Sequence, residues 1–370
     1  MLTIGFDAKR YFLNNTGLGN YSRDLIRILE TYYPENLYLK YTPKLPDNLK
    51  IEEINNNIHL PKGILAKTFP MFWRNTGIIN DLQTDHVNIY HGLSGEIPTG
   101  LRKTNIKSVV TIHDLIFIRY PELYNSVDCW IYNKKAKFAV ENADRIIAIS
   151  NQTKNDIVNF YGIPENKIDV IYQVSHPAFK NIKSQEEKNA LRKKLHLPEN
   201  FVLNVGSIEP RKNAFQIVKA IEALDIPLLI IGKETSYSNS IKEYVSKNGL
   251  EKKVIFMKGL TMEELAAIYS MASIFIYPSK FEGFGIPIIE ALYSGTPVIT
   301  TNSGVFPEAG GPNTCYVDPE NIEELKTSIL SILSNQNLAN EMSSKGLEYV
   351  QKFNDDIIAK QVYDLYLNLK

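Results

Sequence analysis

The sequence predicts an α/β protein built from two doubly wound, Rossmann-like domains. Short β-rich apolar runs alternate with amphipathic helical stretches, this alternation stops over residues 176–201, and it then starts again. The length of 370 residues also suits two domains. We therefore expect a first domain over 1–180, a linker over 181–200, a second domain over 201–352 and a closing helical segment over 353–370.

In the first half, strand-like runs alternate with helical segments. The helix that begins at Tyr21 places Leu25, Ile28 and Leu29 on one face. The β-α-β-α order indicates a mostly parallel sheet covered on both faces. The predicted strands are 2–6, 88–92, 107–114, 144–150 and 167–172.

The second half repeats the pattern as a complete doubly wound unit. Ligands of open α/β sheets bind outside the carboxyl ends of the strands. Two such domains facing a central cleft would bring the motifs at these strand ends together. The predicted strands here are 201–207, 227–232, 253–259, 273–279 and 296–301.

Composition excludes several classes of protein. The formal net charge is +0, whereas a nucleic-acid binder needs a basic surplus. The two cysteines, Cys129 and Cys315, lie far apart in no metal-like spacing, so a reducing compartment is the simpler interpretation. The chain has no run of 18 apolar residues and no signal-like start. We expect a cytoplasmic protein.

The stretch FEGFGIPIIEAL carries two carboxylates around a glycine bend. Glu282 would lie in a loop, Pro287 suits the first turn of a helix, and Glu290 would lie about one turn further on. Gly283 and Gly285 allow the backbone to approach a phosphate. The stretch predicts a nucleotide-sugar site, with the diphosphate at the bend and a sugar at each carboxylate. The alternative is a helix start whose acidic residues are favoured by the helix dipole.

The stretch NVGSIEPRKN places two cations after the first strand of the second half. Gly206 gives room there, and Arg211 and Lys212 follow it on a loop. Such cations would stabilise a leaving diphosphate, as a metal ion does elsewhere. The alternative is a solvated pair, although the start of a helix is an unfavourable place for cations. The sequence has no Asp-x-Asp element, so we expect no metal and no cofactor besides the sugar donor.

Weaker signals lie in the first half. His113 ends a predicted strand, where it could bond a sugar hydroxyl or a phosphate or move a proton, but a lone histidine is more often structural. Gly17 and Gly19 precede the first helix, but a lone glycine pair more often marks an ordinary turn. The aromatic run at 69–77 would suit either a membrane surface or the packing of a short helix.

Six segments in chain order resemble the retaining glycosyltransferases of family 4, which have the GT-B fold. The similarity runs along nearly the whole chain and is closest to bacterial mannosyltransferase-like members that build surface polysaccharides. The segments are GLGNYS, HGLSGEIP, TIHDLIFIRYPELY, ADRIIAIS, VGSIEPRKN and FEGFGIPIIEAL.

The resemblance implies a role for each candidate residue. His113, Arg211, Lys212 and Glu282 would be the catalytic group, with Glu282 at the donor sugar and the two cations at the diphosphate. Many relatives carry a basic residue at the position of Ser207. The implied donor contacts are Gly17, Gly19, Ser207, Ser279, Gly283, Phe284, Gly285 and Glu290, the last of which would hold the ribose.

The implied reaction moves a hexose from a nucleoside-diphosphate sugar to a hydroxyl of a glycan or a lipid-linked oligosaccharide. GDP-mannose is the expected donor, ahead of UDP-hexoses and dTDP-rhamnose. The resemblance also implies that the closing helix packs on the first domain. The aromatic run at 69–77 and the basic run at 134–137 leave peripheral contact with the inner face of a membrane open. Two alternatives stay open, namely a nucleotide-sugar epimerase of the same fold and a non-catalytic glycan-binding protein.

Overall fold

The computed structural model describes residues 1–47, 57–181 and 183–369. The chain divides into two compact units. The first unit consists of Met1–Val174 together with Phe353–Lys370, and the second consists of Ser175–Lys352. Each unit has a parallel sheet of its own with helices around it, so the predicted fold class is confirmed.

Among the described residues, seven parallel strands form the sheet of the first unit in the order β3-β2-β1-β4-β5-β6-β7. Strand β1 pairs with β2 on one side and β4 on the other, so the direction of winding reverses between β1 and β4. The strands are β1 (Thr3–Asp7), β2 (Leu37–Tyr41), β3 (Ile58–His59), β4 (Ile89–Gly92), β5 (Lys107–Ile112), β6 (Arg145–Ala148) and β7 (Ile168–Val170).

The longer helices of this unit bury one face in its core. In α2 the predicted stripe of Leu25, Ile28 and Leu29 is buried, in one core with Phe6 of β1. The helices are α1 (Lys9–Leu13), α2 (Gly17–Tyr32), α3 (Ile64–Thr68), α4 (Pro70–Phe72), α5 (Ile78–Thr84), α6 (Ile116–Arg119), α7 (Ser126–Asn142) and α8 (Asn151–Tyr161).

The second unit repeats the arrangement with six parallel strands in the part of the chain that the structure describes, in the order β10-β9-β8-β11-β12-β13. Here the winding reverses between β8 and β11. The strands are β8 (Val202–Val205), β9 (Leu228–Ile231), β10 (Val254–Met257), β11 (Ile274–Tyr277), β12 (Val298–Thr301) and β13 (Cys315–Val317).

Local sequence explains where several helices of the second unit begin. Ser184 with Glu187 and Thr261 with Glu264 form reciprocal capping boxes that satisfy the first amides of α9 and α12. The helices are α9 (Gln185–Leu195), α10 (Ala214–Ile221), α11 (Ser236–Lys247), α12 (Met262–Tyr269), α13 (Ile286–Tyr293), α14 (Phe306–Gly310), α15 (Ile322–Leu333) and α16 (Gln336–Val350).

The predicted linker at 181–200 and the predicted domain end at 180 are corrected by this division. Helix α9 belongs to the second unit, where Lys194 forms an ion pair with Glu264 of α12 at 2.8 Å. The ring of Phe179 packs against Tyr269 at 5.4 Å in the same unit. The sequence of α9 resembles that of a linker because the helix has no buried residue. It attaches to the second unit through long charged side chains.

The last helix, α17 (Asp355–Leu367), belongs to the first unit. Asp355 pairs with Arg27 of α2 at 2.8 Å, and Tyr363 stacks on Tyr33 with ring centroids 3.9 Å apart. The buried Tyr366 hydroxyl lies 2.6 Å from Nδ1 of His91 in β4. The chain therefore returns to complete the core of the unit in which it began.

Candidate active site

Two loops meet where the winding of the second sheet reverses. One follows β8 and runs from Gly206 to the 3₁₀ turn Pro210–Lys212, and the other follows β11. Because β8 and β11 are adjacent parallel strands, both loops leave the same edge of the sheet. The carbonyl of Arg211 accepts hydrogen bonds from the Lys280 amide at 2.9 Å and the Ser279 hydroxyl at 3.3 Å. These bonds tie one loop to the other.

Arg211, Lys212 and Glu282 form a charged cluster between these two loops. Arg211 Nη1 lies 2.7 Å from Glu282 Oε1, and Lys212 Nζ lies 4.0 Å from the same oxygen. Arg211 also donates to the carbonyl of Phe281. The three side chains are only 14–17% exposed, so their charges interact in a medium of lower polarity than water. The fold thus brings three of the four predicted catalytic residues together.

Neighbouring side chains keep Glu282 anionic. Its Oε1 accepts hydrogen bonds from the Tyr277 hydroxyl at 2.8 Å and the Ser279 hydroxyl at 2.9 Å. Burial alone would raise the pKa of Glu282, but the charges of Lys212 and Arg211 and these two hydrogen bonds lower it below its ordinary value. The site therefore holds a carboxylate at neutral pH.

Lys212 is held in place by a glycine and an aromatic ring. Gly206 has φ of +145°, and a Cβ on it would lie 2.9 Å from Lys212 Nζ and 3.2 Å from Lys212 Cδ. The lysine side chain therefore occupies the space that the missing side chain leaves. Its ammonium also lies 5.6 Å from the centroid of the Tyr277 ring, a favourable cation–π distance.

Glu290 lies just over one turn into α13, as predicted, and is held by a second tyrosine. The hydroxyl of Tyr269 donates to Glu290 Oε2 at 3.1 Å, and Tyr269 is completely buried at the end of α12. The rings of Tyr269, Phe275 and Tyr277 follow one another with centroids 5.1 and 5.9 Å apart. One column of buried aromatic rings therefore supports both Glu282 and Glu290.

The glycine bend leads directly into α13, which begins at Ile286 with Pro287 in its first turn, as predicted. Gly285 immediately precedes the helix with φ of +104°, a conformation that favours glycine. Phe284 is 2% exposed, so the residue packs inside the protein. The donor contacts predicted for Gly283, Phe284 and Gly285 stay predictions.

The two predicted serines lie at the site but already hold protein partners. The Ser207 hydroxyl donates to Glu209 Oε1 at 2.6 Å, and that of Ser279 lies within hydrogen-bonding distance of Glu282 and the Phe281 carbonyl. Both hydroxyls therefore organise their loops in this structure. Direct contact with a donor would require either hydroxyl to exchange or share its partner.

Sequence reasoning missed Tyr269, Tyr277 and the two threonines at the end of β12. Thr300 donates to the carbonyl of Tyr277 at 2.7 Å, and Thr301 to that of Ser279 at 2.6 Å. Each bond fixes the backbone from which Glu282 is presented. The only signal for Tyr277 was its position, directly before the Pro-Ser turn of the motif.

His113, the fourth predicted catalytic residue, lies in the first unit at the end of β5. Its Nε2 donates to the carbonyl of Leu93 at 2.9 Å, and its Nδ1 accepts from Gln173 Nε2 at 3.1 Å. Burial lowers the pKa of His113 to about 4, so the imidazole is neutral at pH 7. Both ring nitrogens are engaged, which favours the structural interpretation over proton transfer.

His91 is a second neutral histidine in this core. Its Nε2 lies 2.8 Å from Thr111 Oγ1, and burial lowers its pKa to about 3. Because both folded-state pKa values are depressed, the unfolded chain binds more protons than the folded chain below about pH 6.5. The stability of the first unit should therefore fall as the pH is lowered from 6.5 towards 4, by about 1.4 kcal/mol per pH unit for each histidine.

Urea unfolding followed by tryptophan fluorescence measures this effect, because both tryptophans, Trp73 and Trp130, lie in the first unit. The variant His113→Gln should be less stable at pH 7 but should lose less stability on acidification. A variant as pH-sensitive as the wild type would contradict the assignment to His113.

A cavity of about 260 Å³ lies beside His113 in the first unit. Its wall combines both signs of charge with aromatic rings, a mixture that suits a polar ligand with apolar faces, such as a sugar. The lining includes Arg10, Glu96, Asp114, Phe117, Tyr124, Tyr132 and Lys135.

A buried arginine fixes one wall of this cavity. Arg74 is 5% exposed and forms ion pairs with Asp7 at the end of β1 and with Glu96 after β4. Lys135 of α7 lies 3.2 Å from the other oxygen of Glu96. Arg74 therefore occupies the point where the winding of the first sheet reverses, and it holds Glu96 in the cavity wall.

The glycines at the start of α2 differ in their surroundings. A Cβ on Gly19 would lie 1.8 Å from the backbone oxygen of Asn14, whereas a Cβ on Gly17 would meet nothing within 4 Å. The Gly19 amide already donates to the Thr16 carbonyl at 2.9 Å. Close packing therefore accounts for Gly19, and the donor contacts implied for both glycines stay predictions.

Residues 1–47, 57–181 and 183–369 contain neither a metal-binding cluster nor a membrane-spanning helix. No group of three or more His, Cys, Asp or Glu side chains is placed to hold a metal ion in these ranges. No helix within them is both long and apolar enough to cross a bilayer.

Comparison with known families assigns each half of the chain. The model described as Glycosyltransferase Family 4 matches residues 31–174, and the one described as Glycosyl transferases group 1 matches residues 185–349. Each match lies within one structural unit. The chain belongs to the family 4 glycosyltransferases. It is therefore a transferase enzyme.

Curated relatives of this glycosyltransferase include three mannosyltransferases. It is 25% identical to O-antigen chain mannosyltransferase B of Escherichia coli over 75% of this chain and 74% of the relative. It is 30% identical to O-antigen chain mannosyltransferase RfbU of Salmonella typhimurium over 60% of each chain. It is 27% identical to the serotype-specific mannosyltransferase WbdA of E. coli over 72% of this chain, which spans about a third (34%) of that longer protein.

Solved structures show that the glycosyltransferase has the GT-B fold. A sucrose-phosphate synthase from Thermosynechococcus elongatus matches with a TM-score of 0.80 at 24% identity, covering 100% of this chain and 99% of the other. HepE of Anabaena, solved with UDP and glucose, matches with a TM-score of 0.77 at 18% identity over 100% of both chains. At these identities the likeness concerns the fold alone.

Proposed function

We propose that this enzyme transfers a hexose from a nucleoside-diphosphate sugar to a glycan hydroxyl, with retention at the anomeric carbon and without a metal ion. One observation carries the proposal. Two cations, Arg211 and Lys212, converge on the Glu282 carboxylate where the winding of the second sheet reverses. Ligands of such sheets bind at that point, and a diphosphate needs positive charge there.

Each charged group would take one part of the donor. Lys212 and Arg211 would bind the diphosphate, Glu282 the hydroxyls of the transferred sugar, and Glu290 the ribose. When the sugar–phosphate bond breaks, the acceptor oxygen would form the new bond on the same face of the sugar. The leaving diphosphate would take the proton of the acceptor while the two cations stabilise its charge.

Mannose is the proposed sugar and GDP-mannose the proposed donor. The support is that similar curated proteins are named mannosyltransferases of O-antigen chains. UDP-hexoses and dTDP-rhamnose are the competing donors. The proposed acceptor is a glycan or lipid-linked oligosaccharide, and the cavity beside His113 is its proposed site because aromatic rings and carboxylates together suit a sugar.

The proposed donor is tested by calorimetry with GDP and UDP, followed by turnover of GDP-mannose, UDP-hexoses and dTDP-rhamnose. We expect GDP to bind and GDP-mannose to release GDP only when an acceptor glycan is present, at a rate unchanged by EDTA. Loss of turnover in EDTA, restored by Mg²⁺ or Mn²⁺, would refute metal independence. Isomerisation of the donor without release of nucleotide would indicate an epimerase. A protein that binds no nucleotide would instead be a glycan-binding protein.

We also propose that residues 62–72 form a surface that contacts an anionic membrane. This surface is called the 62–72 surface below. Ile64, Phe69 and Phe72 expose 85%, 60% and 67% of their area there, whereas the following Trp73 is buried. The predicted aromatic run thus divides into an exposed part and a core part. Residues 57–80 contain no Asp or Glu, while Lys62 and Lys67 are exposed on this surface. Exposed apolar side chains beside lysines suit an anionic lipid surface.

Co-sedimentation with vesicles measures this contact. The wild type should sediment with vesicles containing phosphatidylglycerol and less with phosphatidylcholine alone, because apolar and electrostatic attraction add. The double variant Phe69→Ser with Phe72→Ser should lose most of the binding. Leu330→Ser, which replaces an exposed leucine of α15, is the matched control and should sediment like the wild type. Equal sedimentation of the double variant and the wild type would refute this surface.

A further inference from the structure

Tyr277 contacts two of the three charged residues at the candidate active site, Glu282 and Lys212. Its hydroxyl donates to Glu282 Oε1 at 2.8 Å, while its ring lies 5.6 Å from the Lys212 ammonium. The residue is 1% exposed, and its ring stacks on Phe275 with centroids 5.9 Å apart. The Thr300 hydroxyl fixes its carbonyl at 2.7 Å. Tyr277 is therefore held from several sides and in turn contacts both members of the ion pair.

Tyr269 has the corresponding position for the second carboxylate. Its hydroxyl donates to Glu290 Oε2 at 3.1 Å. Its carbonyl accepts a hydrogen bond from Thr296 Oγ1 at 2.6 Å, and its ring packs on those of Phe179 and Phe275. Like Tyr277, it is a fully enclosed residue whose hydroxyl meets a carboxylate that is partly exposed.

We propose that Tyr277 and Tyr269 are positioning residues, the first for the Lys212–Glu282 pair and the second for Glu290. Together they would fix where the two carboxylates stand along a nucleotide-sugar donor. This inference rests on the proposed function of the site.

The hydrogen bonds of Glu282 indicate which of its oxygens serves the donor. In the part of the chain that the structure describes, Arg211, Tyr277 and Ser279 all bond to Oε1. The second oxygen, Oε2, would then be the one that accepts a sugar hydroxyl. Loss of the Tyr277 hydroxyl would remove one of the three bonds to Oε1 and so weaken the hold on this orientation of the carboxylate.

Packing alone does not explain a tyrosine at either place. A phenylalanine would fill the same space, whereas a buried hydroxyl costs free energy unless it finds a partner. In both cases that partner is a carboxylate of the same motif. A hydrogen bond to a charged group is also stronger than one between neutral groups.

The pH dependence of turnover separates positioning from packing. Glu282 faces Arg211, Lys212 and Tyr277, and Glu209 lies 3.7 Å from Arg211. The Tyr277 hydrogen bond is one of the causes that lower the pKa of Glu282, so its removal raises that pKa. The acid limb of kcat/KM should then move to higher pH in Tyr277→Phe.

The experiment compares kcat, KM and the pH profile of purified full-length variants, with calorimetric binding of GDP and UDP. Tyr277→Phe should lower kcat about tenfold, with the donor KM little changed. Tyr277→Leu, which also removes the ring beside Lys212, should lower kcat further. Tyr269→Phe should instead weaken nucleotide binding about tenfold and leave the acid limb in place. Tyr366→Phe is the control, since it removes an equally buried hydroxyl that bonds to His91 in the first unit.

The outcomes distinguish a failure of the positioning roles from a failure of the proposed function. If Tyr277→Phe lowers the melting temperature but keeps the wild-type kcat and pH profile, as expected for the control, the tyrosine only packs and the inference is overturned. If Tyr269→Phe binds nucleotide like the wild type, the part concerning Glu290 is overturned. If the wild type itself neither binds GDP or UDP nor turns over a donor, the proposed function fails and this inference fails with it.

Discussion

Lys212→Ala should lower kcat on the order of 10²-fold, because one electrostatic contact to the leaving diphosphate is lost. The lysine is only 16% exposed and is held against Gly206, so its position is fixed before any ligand arrives. A preorganised charge in a partly desolvated site stabilises a transition state more than a mobile surface charge does. Steady-state kinetics with the donor that best supports turnover measures the effect.

Two further variants show whether charge at this place is the cause. Lys212→Arg keeps the charge and should retain more activity than the alanine variant. Lys242→Ala removes an exposed lysine of the same unit, whose ion pair with Glu234 lies on the surface, and should change kcat by less than about twofold. Turnover at the wild-type level in Lys212→Ala would refute the role assigned to the cation pair.

Local patterns were enough to predict the parts of the site that lie within one segment. The start of α13 followed from Pro287 and the glycines before it, and Glu282 and Glu290 followed from their places around that start. Arg211 and Lys212 were predictable because cations are unfavourable at the start of a helix unless something else requires them. That all four lie in one unit follows from the repeated α/β pattern.

Features that depend on distant partners were not predictable from the sequence. Strand β2 (Leu37–Tyr41) includes a buried lysine, Lys40, which pairs with Glu30, and a charge within an apolar run hides a strand. Strand β13 (Cys315–Val317) is only three residues long. Tyr277 reads as one more apolar strand residue until the fold places its hydroxyl on Glu282.

For His113, the sequence suggested a catalytic role that its distant partners do not favour. A histidine at the end of a strand suits catalysis by its chemistry, and nothing nearby in the sequence indicates that Leu93 and Gln173 will occupy both ring nitrogens. These partners are 20 and 60 residues away along the chain. A residue type at a strand end therefore predicts a location better than it predicts a role.

Gly19→Ala should destabilise the first unit by about 1–3 kcal/mol, whereas Gly17→Ala should leave its stability unchanged or raise it by up to about 1 kcal/mol. The added methyl group at position 19 would lie 1.8 Å from the Asn14 oxygen and 2.7 Å from its carbonyl carbon, so the turn before α2 must move. At position 17 the methyl group meets open space and the chain gains helix propensity.

Both variants lie in one helix, which makes them a matched pair. Urea unfolding monitored by tryptophan fluorescence reports on their unit, because Trp73 is buried in its core and the second unit contains no tryptophan. Equal stability of the two variants would contradict the packing argument for Gly19. If Gly17→Ala folds normally but loses nucleotide binding in calorimetry, the backbone at the start of α2 contacts the donor, because the methyl group then acts on the ligand and not on the fold.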